Sequence, residues 1–185
     1  MAAASYEESV FVNCPFDTDY QEIFRALVFT VHDCGFLARC ALEVDDGGEV
    51  RIAKINRIVR GCRHGIHDIS RTELDPTERL PRFNMPLELG LFLGAREFGT
   101  GRQKQKRVLI LDTERYRYQK FCSDIAGQDI KAHEGSGEKR FGRYGTGSRP
   151  LSTVLFCSRR PGRWSSGTQP SWQSSRGCAR LFTWT

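Results

Sequence analysis

"RVLILD", residues 107–112, is the most strand-like run in the chain. Its four consecutive apolar residues show no alternation between a wet and a dry face, the pattern of a strand covered on both sides in a parallel sheet. Parallel neighbours need crossovers of a dozen residues or more, usually helical, so the flanking sequence should alternate strand and helix. It does. Upstream, "SVFVN" (9–13) is β-prone and ends in "CPFD", where Pro15 and Asp17 mark a turn and a helix start. Tyr20, Ile23, Phe24, Leu27, Val28 and Val31 then recur at steps of three and four, one buried stripe of an amphipathic helix. Gly35 suits the left-handed position that closes it.

The alternation continues. "FLARCALE" (36–43) reads as a second strand, "VDDGGE" (44–49) as a loop, and Ile52, Ile55, Ile58, Val59 and Cys62 as one side of a second helix. "HGIHDIS" (64–70) is a third strand running into a charged loop (72–83) with two prolines. "FNMPLELGLFLGA" (83–95) opens a third helix, with Leu87, Leu91 and Ala95 on its core side and Gly90 and Gly94 permitting close approach of a neighbour. "RYRYQKFCSDIAG" (115–127) reads as a fourth helix and "QDIKAHE" (128–134) as a fifth strand. The expected fold is α/β: a parallel sheet of four to five strands with helices on both faces. Ligands in such sheets bind beyond the carboxyl ends of the strands, which here are 13–17, 40–46, 68–71 and 112–115.

The net charge of +6 hides two unlike regions. Residues 1–134 hold 19 Lys and Arg against 21 Asp and Glu, whereas residues 135–185 hold nine against one. The basic character therefore belongs to the tail, and nucleic acid is not expected as a partner of the body. The tail has no Asp, Ile or Met but all three Trp, eight Gly and nine Ser, and no sustained periodicity. An out-of-frame reading of GC-rich coding sequence is biased toward these residues, and so is a natural basic disordered tail that touches polyanions non-specifically. We expect a domain over 1–134 and an irregular tail over 135–185.

The first residues carry no basic segment and no long apolar run, so neither a secretory signal nor a membrane anchor is expected. Seven cysteines without a C-x-x-C pair fit reduced thiols and a cytoplasmic setting.

Three stretches carry candidate chemistry. "FVNCPFD" (11–17) ends a strand just before a helix, where backbone N–H groups can bind an anion, although a plain turn with Asp17 as cap has the same spacing. "HDISR" (67–71) offers Asp68, Ser70 and Arg71 to ribose hydroxyls or a phosphate, or is simply a polar loop. His64 and His67 fall on opposite faces of a strand, so they form no metal pair and are expected to be structural. Glu88 has two readings. With Pro86 as first helical residue, Met85 becomes the N-cap and Glu88 the reciprocal half of a capping box. The same place lets the helix dipole hold a carboxylate ionised beside a ligand. Spacing leaves both open.

"VFVNCPFD", "GIHDIS" and "FNMPLELGLFLGA" together resemble the TIR-like (Toll/interleukin receptor-like) and nucleoside 2-deoxyribosyltransferase-like domains, over about residues 9–131. The resemblance implies a flavodoxin-like sheet and points to bacterial stand-alone TIR-like proteins of uncharacterised or anti-phage defence type. It implies that Glu88 is a catalytic carboxylate acting on an N-glycosidic bond, with NAD as substrate rather than cofactor. Asn13, Cys14, Pro15, Phe16, Asp17, Asp68 and Ser70 would line the ribose and phosphate pocket, Arg71 or Arg82 would hold phosphates, and Asn84 would orient a ribose or the carboxylate. The loop "LPRFNMP" (80–86) lacks the D-x-G-T-like run of the deoxyribosyltransferases, which favours the TIR-like side. A homo-oligomer is the expected assembly. A non-catalytic nucleotide-sensing or signalling module and a deoxyribosyltransferase are the rival functions.

Translating the other two frames of the coding sequence downstream of codon 134 tests the tail. The frame-shift account expects a patterned helix and a balanced charge in one of them, and is lost if neither frame yields them.

Overall fold

The computed structural model describes residues 5–43, 47–74 and 79–133; the expected tail, the first half of the 44–49 loop and residues 75–78 of the charged loop lie outside these residues. Five parallel strands form one sheet in the order β2-β1-β3-β4-β5: β1 Ser9–Asn13, β2 Leu37–Arg39, β3 His64–Asp68, β4 Arg107–Asp112 and β5 Ile130–Ala132. Three helices connect the first four strands: α1 Gln21–Asp33, α2 Arg51–Gly61 and α3 Asn84–Phe98. This is the flavodoxin-like order, and its topological switch point lies between β1 and β3.

Strand side chains alternate between two cores, as the period of two requires. Val10, Val12, Ile66, Leu109 and Leu111 pack with Ile23, Leu27 and Val31 of α1 on one face. Phe11 packs with Ile55, Ile58, Val59 and Phe92 on the other, under α2 and α3. Ile69, Leu89, Ile110 and Tyr118 continue that second layer toward β5.

Local chemistry ends the helices as expected in two places and differently in others. Asp17 accepts from the Tyr20 N–H at 3.0 Å and caps the short 3-10 turn Thr18–Tyr20 that leads into α1. Gly35, at φ +78°, closes α1 with its N–H on the His32 carbonyl, while the Phe36 N–H reaches Val31. At the end of α2 a lysine does this work. Lys106 is buried, and its ammonium donates to the carbonyls of Val59 and Cys62 while lying 4.5 Å from the Phe92 ring centre.

Several expectations are corrected. The second strand is only three residues long because the chain turns back at Cys40, whose carbonyl accepts from the Glu43 N–H. No fourth helix forms over 115–127; the segment holds two 3-10 turns, Arg117–Lys120 and Ser123–Ile125. Tyr116 is left-handed at φ 65°, and the Arg117 guanidinium is tied to the ends of β3 and β4, so the chain cannot wind continuously there. On α3 the buried stripe is Met85, Glu88, Leu89 and Phe92, and the expected core residue Leu87 is exposed. Ile52 of α2 likewise points outward. Gly90 and Gly94 approach nothing: a Cβ on Gly90 would meet no atom within 4 Å, and one on Gly94 only the Phe98 ring at 3.9 Å.

The glycine that packing demands is Gly65 of β3. A Cβ there would lie 2.8 Å from both the Phe92 ring and the His67 Nε2. The Phe92 ring rests on the β3 backbone in that space. Gly65→Ala should therefore cost about 1–3 kcal/mol through overpacking. Urea unfolding measures the loss, and an unchanged midpoint would remove Gly65 as a packing constraint.

Candidate functional site

Asn13 ends β1, and its side-chain amide nitrogen makes two bonds. It donates to His67 Nδ1 at 3.0 Å and to the Met85 carbonyl at 2.9 Å. An amide nitrogen only donates, so Nδ1 is the acceptor and the His67 proton sits on Nε2. His67 lies edge-on to Phe11 and Phe92, and burial, then the charge of Lys106, push its pKa down to about 3. A neutral imidazole with no exposure holds two strands and a helix together; it is structural, as the strand geometry implies. Through Met85, this same amide sets the start of α3.

That start differs from the spacing argument. The Phe83 carbonyl accepts from the Leu87 N–H, so Phe83 is the N-cap and Pro86 the third helical residue. Pro86 is tolerated because the first turn has no N–H bonds to lose. Glu88 is then the fifth helical residue, too far in for a capping box, and the cap reading is overturned. Its side chain is 8% exposed at the carboxyl edge of the sheet, and its charged neighbour is Arg51 at 3.9 Å. Burial raises the Glu88 pKa, and Arg51, the first residue of α2, partly offsets this. Arg51 itself is 58% exposed, so the pair is open on the guanidinium side.

Cys14 and Pro15 are buried behind the first-strand loop. Burial first, then the charges of Asp68, Cys40, Glu88 and Asp17, push the Cys14 thiol well above its ordinary range. The thiol is thus neutral and unreactive. Phe16 turns toward Phe24 on α1, with ring centres 5.5 Å apart, and serves the core.

The third-strand loop is tightly bound. The buried Asp68 carboxylate accepts from the Tyr20 hydroxyl and from the Ser70 N–H at 2.8 Å, and His133 Nε2 stands 3.0 Å away. Burial and the Asp68 charge push the Tyr20 hydroxyl far up, so it stays a donor. Asp68 therefore fastens the amino end of α1 to the carboxyl end of β3, with the His133 ring, just past β5, beside it. Beside it, Asp112 of β4 accepts from Arg117 Nε at 2.8 Å and from the Thr113 N–H at 2.7 Å. Arg117 also donates to the Ile69 and Ser70 carbonyls. Burial raises the Asp112 pKa against the pull of Arg117, and its second oxygen is buried without a hydrogen bond.

Of the residues expected to meet a nucleotide, Asn13, Cys14, Asp68, Ser70 and Glu88 come together along one sheet edge. Arg71 is taken up by Asp17 at 3.1 Å and Asp19 at 3.5 Å, which joins the first and third loops. Arg82 and Asn84 are exposed; Asn84 lies one turn before Glu88 on nearly the same side of α3 and does not bond to it. Arg51 and Arg117 are the two charged residues that pattern-reading passes over. Each acts across elements remote in sequence, and only an exposed arginine at a helix start hints at Arg51. Two clefts, of about 470 Å³ beside Leu93, Arg96, Val108 and Asp129, and about 370 Å³ beside Tyr116, Tyr118 and Lys131, flank β4 and β5; Glu88 lines neither.

Fold and edge define a flavodoxin-like α/β domain with three buried carboxylates, Asp68, Glu88 and Asp112, at the carboxyl ends of its strands. No protein-family model matches the chain, and no curated protein matches its sequence significantly. Among the described residues no helix is long and apolar enough to cross a membrane.

His67 yields a pH test. Its folded pKa of about 3 lies below the unfolded value of about 6.5, so the unfolded chain binds the extra proton between them. The stability it contributes is full above pH 6.5 and is lost as pH falls toward 3, by about 4 kcal/mol. His64, held at about 4 mainly by burial, adds to the same limb. Urea midpoints at a series of pH values should fall in this window, and His67→Phe should flatten part of the slope; an equal slope in the variant would contradict the assignment.

Proposed function

We propose that the domain cleaves an N-glycosidic bond of a nucleotide, with NAD the first candidate and Glu88 the working carboxylate. The observation that carries this reading is Glu88 itself: a carboxylate buried at the ligand-binding edge of the sheet, raised by burial, with an open arginine as its charged neighbour. Asp68 and Asp112, buried at the same edge, are each held by hydrogen-bond donors, whereas the charge beside Glu88 is an exposed arginine 3.9 Å away. The first- and third-strand loops, joined by Arg71 and Asp17, form the adjoining wall.

The chemistry asks little else of the protein. As the C–N bond to nicotinamide breaks, positive charge grows on the ribose, and a carboxylate at its face stabilises or captures it. Nicotinamide departs neutral, so no general acid is needed. Water then completes hydrolysis, or an internal nucleophile gives an NAD-derived messenger. Arg51 is placed to hold Glu88 ionised and to meet a phosphate.

One observation favours the non-catalytic alternative, a nucleotide-sensing or signalling module of the same fold. Arg71, expected for phosphate, is already paired with two aspartates. Deoxyribosyl transfer has no comparable observation in its favour.

Incubation of the full chain with NAD should release nicotinamide, and Glu88→Gln should reduce release at least a hundredfold with the thermal midpoint nearly unchanged. Nicotinamide release that survives Glu88→Gln removes the catalytic assignment. Arg51→Ala removes the charge that lowers the Glu88 pKa, so the acid limb of the pH–rate profile should move to higher pH. An unmoved limb shows that Arg51 does not tune Glu88.

A further inference from the structure

The amino ends of the strands, opposite the Glu88 edge, carry a local excess of positive charge. Residues 60–63 and 99–107 hold six Lys and Arg and no Asp or Glu, inside a body whose acidic residues outnumber its basic ones. The fold sews these two segments together. Gln103 Nε2 donates to the Arg60 carbonyl at 3.0 Å, the Arg107 N–H donates to the Arg63 carbonyl at 3.0 Å, and the Lys106 ammonium holds Val59 and Cys62. Elsewhere several arginines find carboxylates, as Arg39 does with Glu43, Arg57 with Glu49 and Arg71 with Asp17. In these segments Arg63 does so, with Glu7, and Lys106 is occupied by its carbonyls. Arg60, Arg102, Lys104 and Arg107 are exposed and form no ion pair among the described residues. Glu97, the acid just before the second segment, lines the cleft toward Asp129 instead. The excess is felt next door: burial, and then the charges of Arg63 and Arg107, hold His64 at about 4.

Phe98, the last residue of α3, adds a ring that is 86% exposed. Gly99 fixes its place beside the cations. A Cβ there would lie 2.7 Å from the Gln103 Cβ, so the turn Gly101–Gln105 closes tightly on the helix end. We propose that this end of the sheet binds single-stranded nucleic acid, with Arg60, Arg102, Lys104 and Arg107 on the phosphates and Phe98 stacked on a base. Guanidinium groups match phosphate oxygens, and an unpaired base offers its face to a ring whatever its identity. A duplex keeps its bases stacked on one another, out of reach of such a ring. A lipid surface calls for several apolar side chains to bury, and Phe98 is the one exposed apolar residue of 98–107. The charge balance that made nucleic acid unexpected for the body averages this end with the acidic opposite edge. The inference stands apart from the Glu88 reading, whose residues lie at the other ends of the strands.

Fluorescence anisotropy of a labelled oligothymidine of about 20 nucleotides, titrated with the full chain over a salt series, tests the proposal. The basic tail is present in every protein compared, so the differences belong to the body. The triple variant Arg60→Gln, Lys104→Gln, Arg107→Gln should weaken binding at least tenfold and reduce the log–log salt slope by about 2. A control triple that removes three exposed charges elsewhere, Arg25→Gln, Arg115→Gln and Lys120→Gln, should leave slope and affinity nearly unchanged. Phe98→Ala should weaken binding at least fivefold without changing the slope. Every change is at an exposed side chain, so thermal midpoints should hold. Equal losses in the two triple variants overturn the proposal, and so does a Phe98→Ala constant equal to that of the parent. Tighter binding to a duplex of the same length also overturns it, as does binding to phosphatidylserine vesicles without binding to the oligonucleotide.

Discussion

The Asn13 amide is the joint on which the candidate site depends. One nitrogen at the end of β1 holds the ring on β3 and the first carbonyl turn of α3. The carboxylate three residues beyond Met85 inherits its place from that bond. Phe92, one turn further, is then drawn across Gly65, so backbone clearance in β3 and side-chain bonding in β1 together fix the azimuth of the helix. The burial of Glu88 follows from this rotation: with Met85, Leu89 and Phe92 inward, position 88 faces the sheet edge.

The acidic edge is stabilised on the other side of the switch point by separate means. Asp68 and Asp112 end adjacent strands with no exposure, a costly arrangement unless each finds donors. Asp68 receives a hydroxyl and a backbone N–H, and Asp112 a guanidinium. Both sets of donors come from outside the strands, so α1 and the Arg117 turn are bonded into the edge rather than merely laid against it. Hydrogen bonds from several elements at once hold this edge in place.

Much of the fold was legible because it rests on local pattern. The apolar run of β4, the stripe of α1 and the turn at Gly35 are each decided within a few residues, and the parallel order follows from their alternation. The failures share a cause. Leu87 and Leu89 are equally apolar, and the Asn13–Met85 bond and the seat of Phe92 on Gly65 decide which one turns inward. The segment over 115–127 has helical spacing, but Arg117 is claimed by carbonyls some 47 residues earlier in the chain. Glu88 was legible as a residue of interest, while its distance from the helix end and its pairing with Arg51 were not. Long-range bonds leave no periodicity to read.

The missing fourth helix has a mechanical consequence. In place of a helix packed along β4 and β5, that flank is covered by two short turns secured mainly through Arg117. Strand β5 has three residues and one neighbour among the described strands, whereas β3 is bonded on both sides. Opening at β5 breaks few hydrogen bonds and exposes little apolar surface, so its free energy lies well below that of global unfolding. The sheet therefore has a stiff centre in β1, β3 and β4, which carries Asn13 and Asp68, between the three-residue edge strands β2 and β5. Because the His133 ring stands 3.0 Å from Asp68 just beyond β5, each such opening also moves a side chain away from the candidate site.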